Sequence, residues 1–141
     1  MIYPDTAVRA NVYSLLKEAK IPAYDSEVPT SEKPPYVLLQ GQDNTDSSTK
    51  SGYGFIHKIT LASVVVGPAA TGRQDAETLL NKVLSALTAE KPAEPVKIAL
   101  AAPFRCWKVK AMPSKDLVFT GAAESVYQKI VTLELMIDYQ P

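Results

Sequence analysis

The chain has 141 residues, 46% hydrophobic and 21% charged, a balance that fits one folded domain with a core of its own. Its 15 basic and 15 acidic residues cancel, which argues against a globally basic nucleic-acid binder and leaves little repulsion between copies. Cys106 is the only cysteine, so an internal disulfide and a thiolate metal cage are excluded, and a reducing compartment suits the chain.

The first residues, MIYPDTAVRANVYSLLKEAK, lack a basic stretch followed by an apolar one, so no secretory signal is expected. No apolar run approaches the roughly 20 residues of a membrane-spanning helix. Residues 5 to 20 read as a helix: Asp5 is placed to cap it, and Val8, Val12, Leu15, Leu16 and Ala19 recur at helical spacing. Pro22 ends that element, and residues 23 to 28 suit a short edge strand. The segment from Pro29 to Pro35 reads as an extended linker, since residues before proline are pushed out of the helical region.

Tyr36 to Gln40 is expected as a short apolar strand, with Pro34 and Pro35 either just before the ladder begins or on an edge where no donor is needed, stiffening its entry. Residues 41 to 54, GQDNTDSSTKSGYG, contain no large aliphatic residue and read as a long exposed loop. FIHKITLASVVVG, residues 55 to 67, is β-branched and apolar and reads as a central strand, which makes the loop the tip of a long antiparallel hairpin. After a turn from Pro68 to Gly72, Thr71 and Gln74 have capping-box spacing. Ala76, Leu79, Leu80, Val83, Leu84 and Leu87 then form the stripe of a second helix that ends near Thr88. A proline-broken linker follows over residues 89 to 95.

Residues 96 to 101 suit either a strand or a helical turn. Phe104 to Met112 reads as a strand with basic residues, and residues 113 to 124 as a turn with Gly121 at its tip. Ser125 to Tyr139 is the clearest strand, with Tyr127, Val131, Leu133, Leu135, Ile137 and Tyr139 alternating with polar residues. The fold class that follows is α+β: a mainly antiparallel or mixed sheet with two helices on one face and a long hairpin.

Few residues point to chemistry. His57, the single histidine, lies inside an apolar strand and reads as a strand-face residue, without carboxylates at metal-ligand spacing. Cys106 reads as a buried structural thiol despite Arg105 and Lys108 nearby. No glycine-rich phosphate-binding motif is present. The expectation is a protein that is not an enzyme and takes no cofactor or metal.

Two segments stand out as interaction candidates. The loop offers Asp43, Asn44, Asp46, Lys50 and Tyr53, which fit either a plain hairpin tip or an arm that orders on a partner. Between Glu94 and Asp116 there is no acidic residue, while Arg105, Lys108 and Lys110 flank Trp107. That pattern suits a solvated strand face, a protein or self-interface, or a single-strand nucleic-acid surface.

The layout as a whole resembles the small tail-completion, or tail-terminator, proteins of long-tailed bacteriophages and prophages. The resemblance rests on the helix AVRANVYSLLKEA, the motif KPPYVLLQGQ, a polar gap before FIHKITLASVVVG, the helix GRQDAETLLNKVLSAL and the closing strand VYQKIVTLELMIDY. It covers nearly the whole of residues 1–141 as one tail-terminator-like domain, and Pro92 to Ala123 departs most from it. It implies a protomer that forms a ring, typically a hexamer, capping the tail tube and ending its polymerisation. The implied partners are other copies of the chain, the tail tube and the head connector, with DNA passing through the ring unspecifically. The implied location is the virion tail, and the host cytoplasm during assembly. The alternative from the residues alone is a small intracellular α+β adaptor or ligand-binding module.

Overall fold

A computed structural model describes residues 1–25, 27–68, 70–121 and 124–141. The elements run α1 (Asp5–Glu18), β1 (Ala23–Asp25), β2 (Tyr36–Asp46), β3 (Tyr53–Gly67), α2 (Gly72–Leu87), β4 (Phe104–Ala111), β5 (Lys115–Thr120) and β6 (Ser125–Tyr139). One sheet holds all six strands, in the order β1-β2-β3-β6-β4, with β5 also on β6. Among the described residues, only the β1–β2 pair is parallel. This is the expected α+β architecture, with both helices on one face.

The core lies between that face and the helices. Val8, Val12 and Leu16 of α1 and Leu80, Val83 and Leu87 of α2 meet Ile59, Leu61, Val131, Leu133, Leu135 and Ile137 of the two central strands. β3 and β6 are paired without interruption from Tyr53↔Tyr139 to Gly67↔Ser125, which places their odd-numbered residues together on the helix side. Gly72 opens α2 against the Tyr127 ring: a Cβ there would stand 2.1 Å from a ring carbon. Glycine is required at that position for close approach rather than for an unusual φ.

Several local expectations are corrected. Asp5 does not cap α1; Pro4 takes the cap position and Asp5 is the first helical residue. Thr71 makes no side-chain cap bond, so the capping box is not formed. Residues 96 to 101 are neither strand nor helix, yet Ile98 is fully buried in the core and the Ala99 carbonyl accepts a 2.9 Å bond from Asn11 Nδ2. The stretch read as a turn at 113–124 contains β5, which pairs with the start of β6 from Lys115↔Ile130 to Thr120↔Ser125. Ser26, within the expected first edge strand, Ala69 in the turn before α2, and Ala122 and Ala123 in the 113–124 stretch lie outside the described residues.

The largest correction concerns the hairpin. Strand β2 does not stop at Gln40 but runs to Asp46, and β3 begins at Tyr53. A Thr49↔Gly52 bridge then closes the tip around Lys50 and Ser51. Polar residues can continue the ladder here because its backbone bonds are made to β3, while the side chains find water or polar partners. The prolines stand where expected: the ladder opens at Tyr36, and Val37 N donates to the Pro22 carbonyl at 2.8 Å.

Candidate partner-contact surfaces

The hairpin owes its side-chain arrangement to a bulge. Leu39 faces Leu61 and Gln42 faces Ile59, so Gln40 and Gly41 together oppose Thr60. An extra residue shifts strand parity. Without it Asn44 would point away from the helices; with it Gln42 and Asn44 join the core-side row beside His57.

His57 is fully buried there. Its Nδ1 lies 2.7 Å from Asn44 Oδ1 and its Nε2 3.0 Å from Gln42 Nε2. The Gln42 amide also donates to the Asp5 carbonyl at 2.9 Å and accepts from Arg9 Nη1 at 3.1 Å, while Asn44 Nδ2 donates to Asp5 Oδ1 at 2.5 Å. These bonds are mutually consistent for one state, a neutral imidazole with Nδ1–H donating to Asn44 and Nε2 accepting from Gln42. Burial pushes the His57 pKa down, opposed by Asp5 and Asp43. Arg9 extends the network to Asp25 of β1 at 3.1 Å. The network ties the N-terminus of α1 to the hairpin. It supplies no nucleophile, and among the described residues no cluster of metal-ligating side chains is found.

The five hairpin candidates therefore separate. Asn44 is half-buried and committed to His57 and Asp5. Asp43 is exposed on the opposite face, across from Lys58. Asp46 folds back on the tip, where the Ser48 hydroxyl and then its backbone N–H hold the carboxyl below its usual range. Lys50 and Tyr53 line an open cleft of about 670 Å³ between the tip and the C-terminal residues Asp138 to Pro141. Tyr53 stacks edge-on against Tyr139 with 6.1 Å between ring centres.

The basic candidates lie on β4. Here too a bulge sets parity: Cys106 faces Ile137 and Lys108 faces Met136, which leaves Trp107 as the extra residue. Val109 is thereby turned toward the core side, and Lys108 and Lys110 toward the helix-free face. Arg105, Trp107, Lys108 and Lys110 are all exposed, and Arg105 and Lys110 stand across from Asp138 and Glu134. The row is therefore mixed in charge rather than a continuous cationic stripe. Cys106 is buried, and burial pushes its thiol up to about 11.

A further surface was not read from the sequence. All six residues of β5 are exposed, including Leu117, Val118 and Phe119. The register aligns Leu117 with Gln128 and Val64, and Phe119 with Val126 and Val66, on the helix-free face. The signal was available in DLVFT, a β-forming run bounded by Pro113 and Gly121, but the surrounding turn residues outweighed it.

No family model matches the chain, and no curated protein matches it in sequence. Among solved structures, a chain of the virion of a native gene transfer agent (GTA) particle is similar, with a TM-score of 0.67 and 20% identity over 96% of this chain and 99% of that one. The class established is thus an α+β fold shared, end to end, with a chain of a virion particle.

Proposed function

We propose that this chain is a structural component of a phage-like virion, and within that class a tail-completion protein. It forms a ring, typically a hexamer, caps the tail tube, ends polymerisation and offers a surface to the head connector, with DNA passing through without specific binding. Its place is the virion tail, reached from the host cytoplasm during assembly. The observation that carries this reading is the fold shared with a GTA virion chain over almost the full length of both proteins. The order of sequence elements, from the first helix through KPPYVLLQGQ to the closing strand, agrees with it.

The role is architectural and not enzymatic. Two physical observations favour this: His57 is buried and occupied at both ring nitrogens, and the Cys106 thiol is buried and held protonated. Neither is available as a base or nucleophile in the folded chain. No helix among the described residues is long and apolar enough to cross a membrane.

The test is assembly. Purified protein is examined by analytical ultracentrifugation alone and with preassembled tail tubes, and the tubes by electron microscopy. The expected result is a closed oligomer, extra density at one tube end and arrested elongation. A chain that stays monomeric, leaves tube length unchanged and does not bind tube ends refutes the reading and favours a small adaptor.

A further inference from the structure

The sheet has two different open edges. Among the described residues, one is β1, which pairs only with β2, together with the part of β2 beyond Leu39 that β1 does not cover. The other is formed by β4 and β5 together: β3 occupies one side of β6 from residue 125 to 139, so β4 and β5 share its other side, end to end. The β5 part carries Leu117, Val118 and Phe119, which are 44%, 42% and 56% exposed. Exposed apolar side chains on an open strand edge form a pairing template, and proteins normally blunt or cover such edges.

The two edges carry opposite charge. Over β4 and β5 the ionic side chains are Arg105, Lys108, Lys110 and Lys115, all exposed, and Asp116, which is engaged by Lys129 of β6 at 2.8 Å, so the unpaired excess on this edge is basic. From residue 23 to 32 the ionic side chains are Asp25, Glu27 and Glu32. Asp25 is engaged by Arg9, whereas Glu27 and Glu32 are exposed. Strand directions agree as well. β1 runs with β2, and successive antiparallel steps through β3 and β6 leave β5 running opposite to β1. A rotation about an axis along the strands preserves those directions, so β5 of one copy meets β1 of the next antiparallel.

We propose that the β5 edge, with its apolar Leu117–Phe119 run and basic flank, docks on the acidic β1 edge of a second copy of this chain. The interface is heterologous: it joins two different patches and propagates head to tail, closing into a ring when the rotation per copy divides a full turn. Backbone bonds supply the pairing, the apolar side chains are covered, and the opposed charges select β1 over another β5. This rests on the ring reading above and names its contact.

Two variants test it, each in the full chain and each checked for unchanged thermal unfolding. Leu117→Lys with Phe119→Lys breaks the β5 patch, and Glu27→Lys with Glu32→Lys reverses the β1 patch. Sedimentation equilibrium should show each variant alone as a monomer, with self-association weakened roughly a hundredfold or more. Mixed together, the two should form a one-to-one dimer and stop there, because one intact β5 and one intact β1 remain. Rings that persist in both variants overturn the interface but leave the ring reading standing. A β1 variant that still dimerises while the β5 variant does not shows β5 pairing with itself, and overturns the heterologous contact. A wild-type chain that stays monomeric at every concentration and on tail tubes overturns both readings together.

Discussion

Removing the Asn44 side chain tests the buried network most directly. In Asn44→Ala the His57 Nδ1–H loses its 2.7 Å acceptor, and the nearest remaining carboxylate oxygen, Asp5 Oδ1, stands at 3.7 Å, beyond hydrogen-bond reach. An unsatisfied buried donor costs about 1–3 kcal/mol. At this chain length that corresponds to a fall of about 3–15 °C in Tm. The network also makes a pH statement. Folding lowers the His57 pKa, so the unfolded chain binds more protons below about 6.5. Stability contributed by neutral His57 is therefore complete above that pH and is lost as pH falls, with a slope of at most about 1.4 kcal/mol per pH unit. Asp5 and Asp43, which favour the charged form, reduce the slope. The assay is urea unfolding from pH 5 to 8 for wild type, Asn44→Ala, His57→Gln and the double variant. Coupling of about 0.5–3 kcal/mol between the two sites is expected, and the His57→Gln chains should lose the acid-dependent part. An Asn44→Ala Tm within about 1 °C of wild type, or an unchanged pH profile in His57→Gln, refutes the reasoning.

Other outcomes follow from packing and exposure. Gly72→Ala forces a methyl group into the Tyr127 ring and should cost about 1–3 kcal/mol in chemical denaturation. Ile98→Ala should cost about 2–5 kcal/mol despite lying outside any regular element, because the side chain is fully buried. Lys50→Ala with Tyr53→Ala should change stability by under about 1 kcal/mol and, on the proposed tail-completion role with the tip cleft as contact, weaken binding to tail tubes; unchanged binding rules the cleft out as the contact. With its thiol pushed up to about 11 and buried, Cys106 should resist alkylation by iodoacetamide at pH 8 and react at a rate that rises with denaturant; rapid native labelling would contradict the burial.

Both helices, the central strands and the α+β class were legible because they depend on local periodicity. Val8, Val12 and Leu16 fall on one helical face in any context, and the alternation from Val131 to Tyr139 marks a half-buried strand by itself. Compositional reading failed where pairing decided the structure. GQDNT reads as a loop because nothing in it is apolar, but its backbone is satisfied by β3 and its Gln42 and Asn44 by His57. The run DLVFT was absorbed into a turn because its partner, the start of β6, lies beyond Gly121. Of the candidate contact residues, Asp43, Asp46, Lys50, Tyr53 and the four on β4 are exposed, whereas Asn44 is an internal brace.

By itself the sequence determined where helices and central strands form, that His57 sits within a strand, and that cysteine chemistry is confined to one thiol. Tertiary structure decided parity. One extra residue at Gln40–Gly41 turns Asn44 toward the core, and another at Trp107 turns Lys108 and Lys110 away from it. A bulge is defined only by the strand across from it, so the faces that polar and basic residues present become readable only when the partner strand is in place. The same holds for the two open edges: acidic residues from 25 to 32 and basic ones from 105 to 115 are unremarkable in the chain, and stand on opposite edges only once one sheet sets them there.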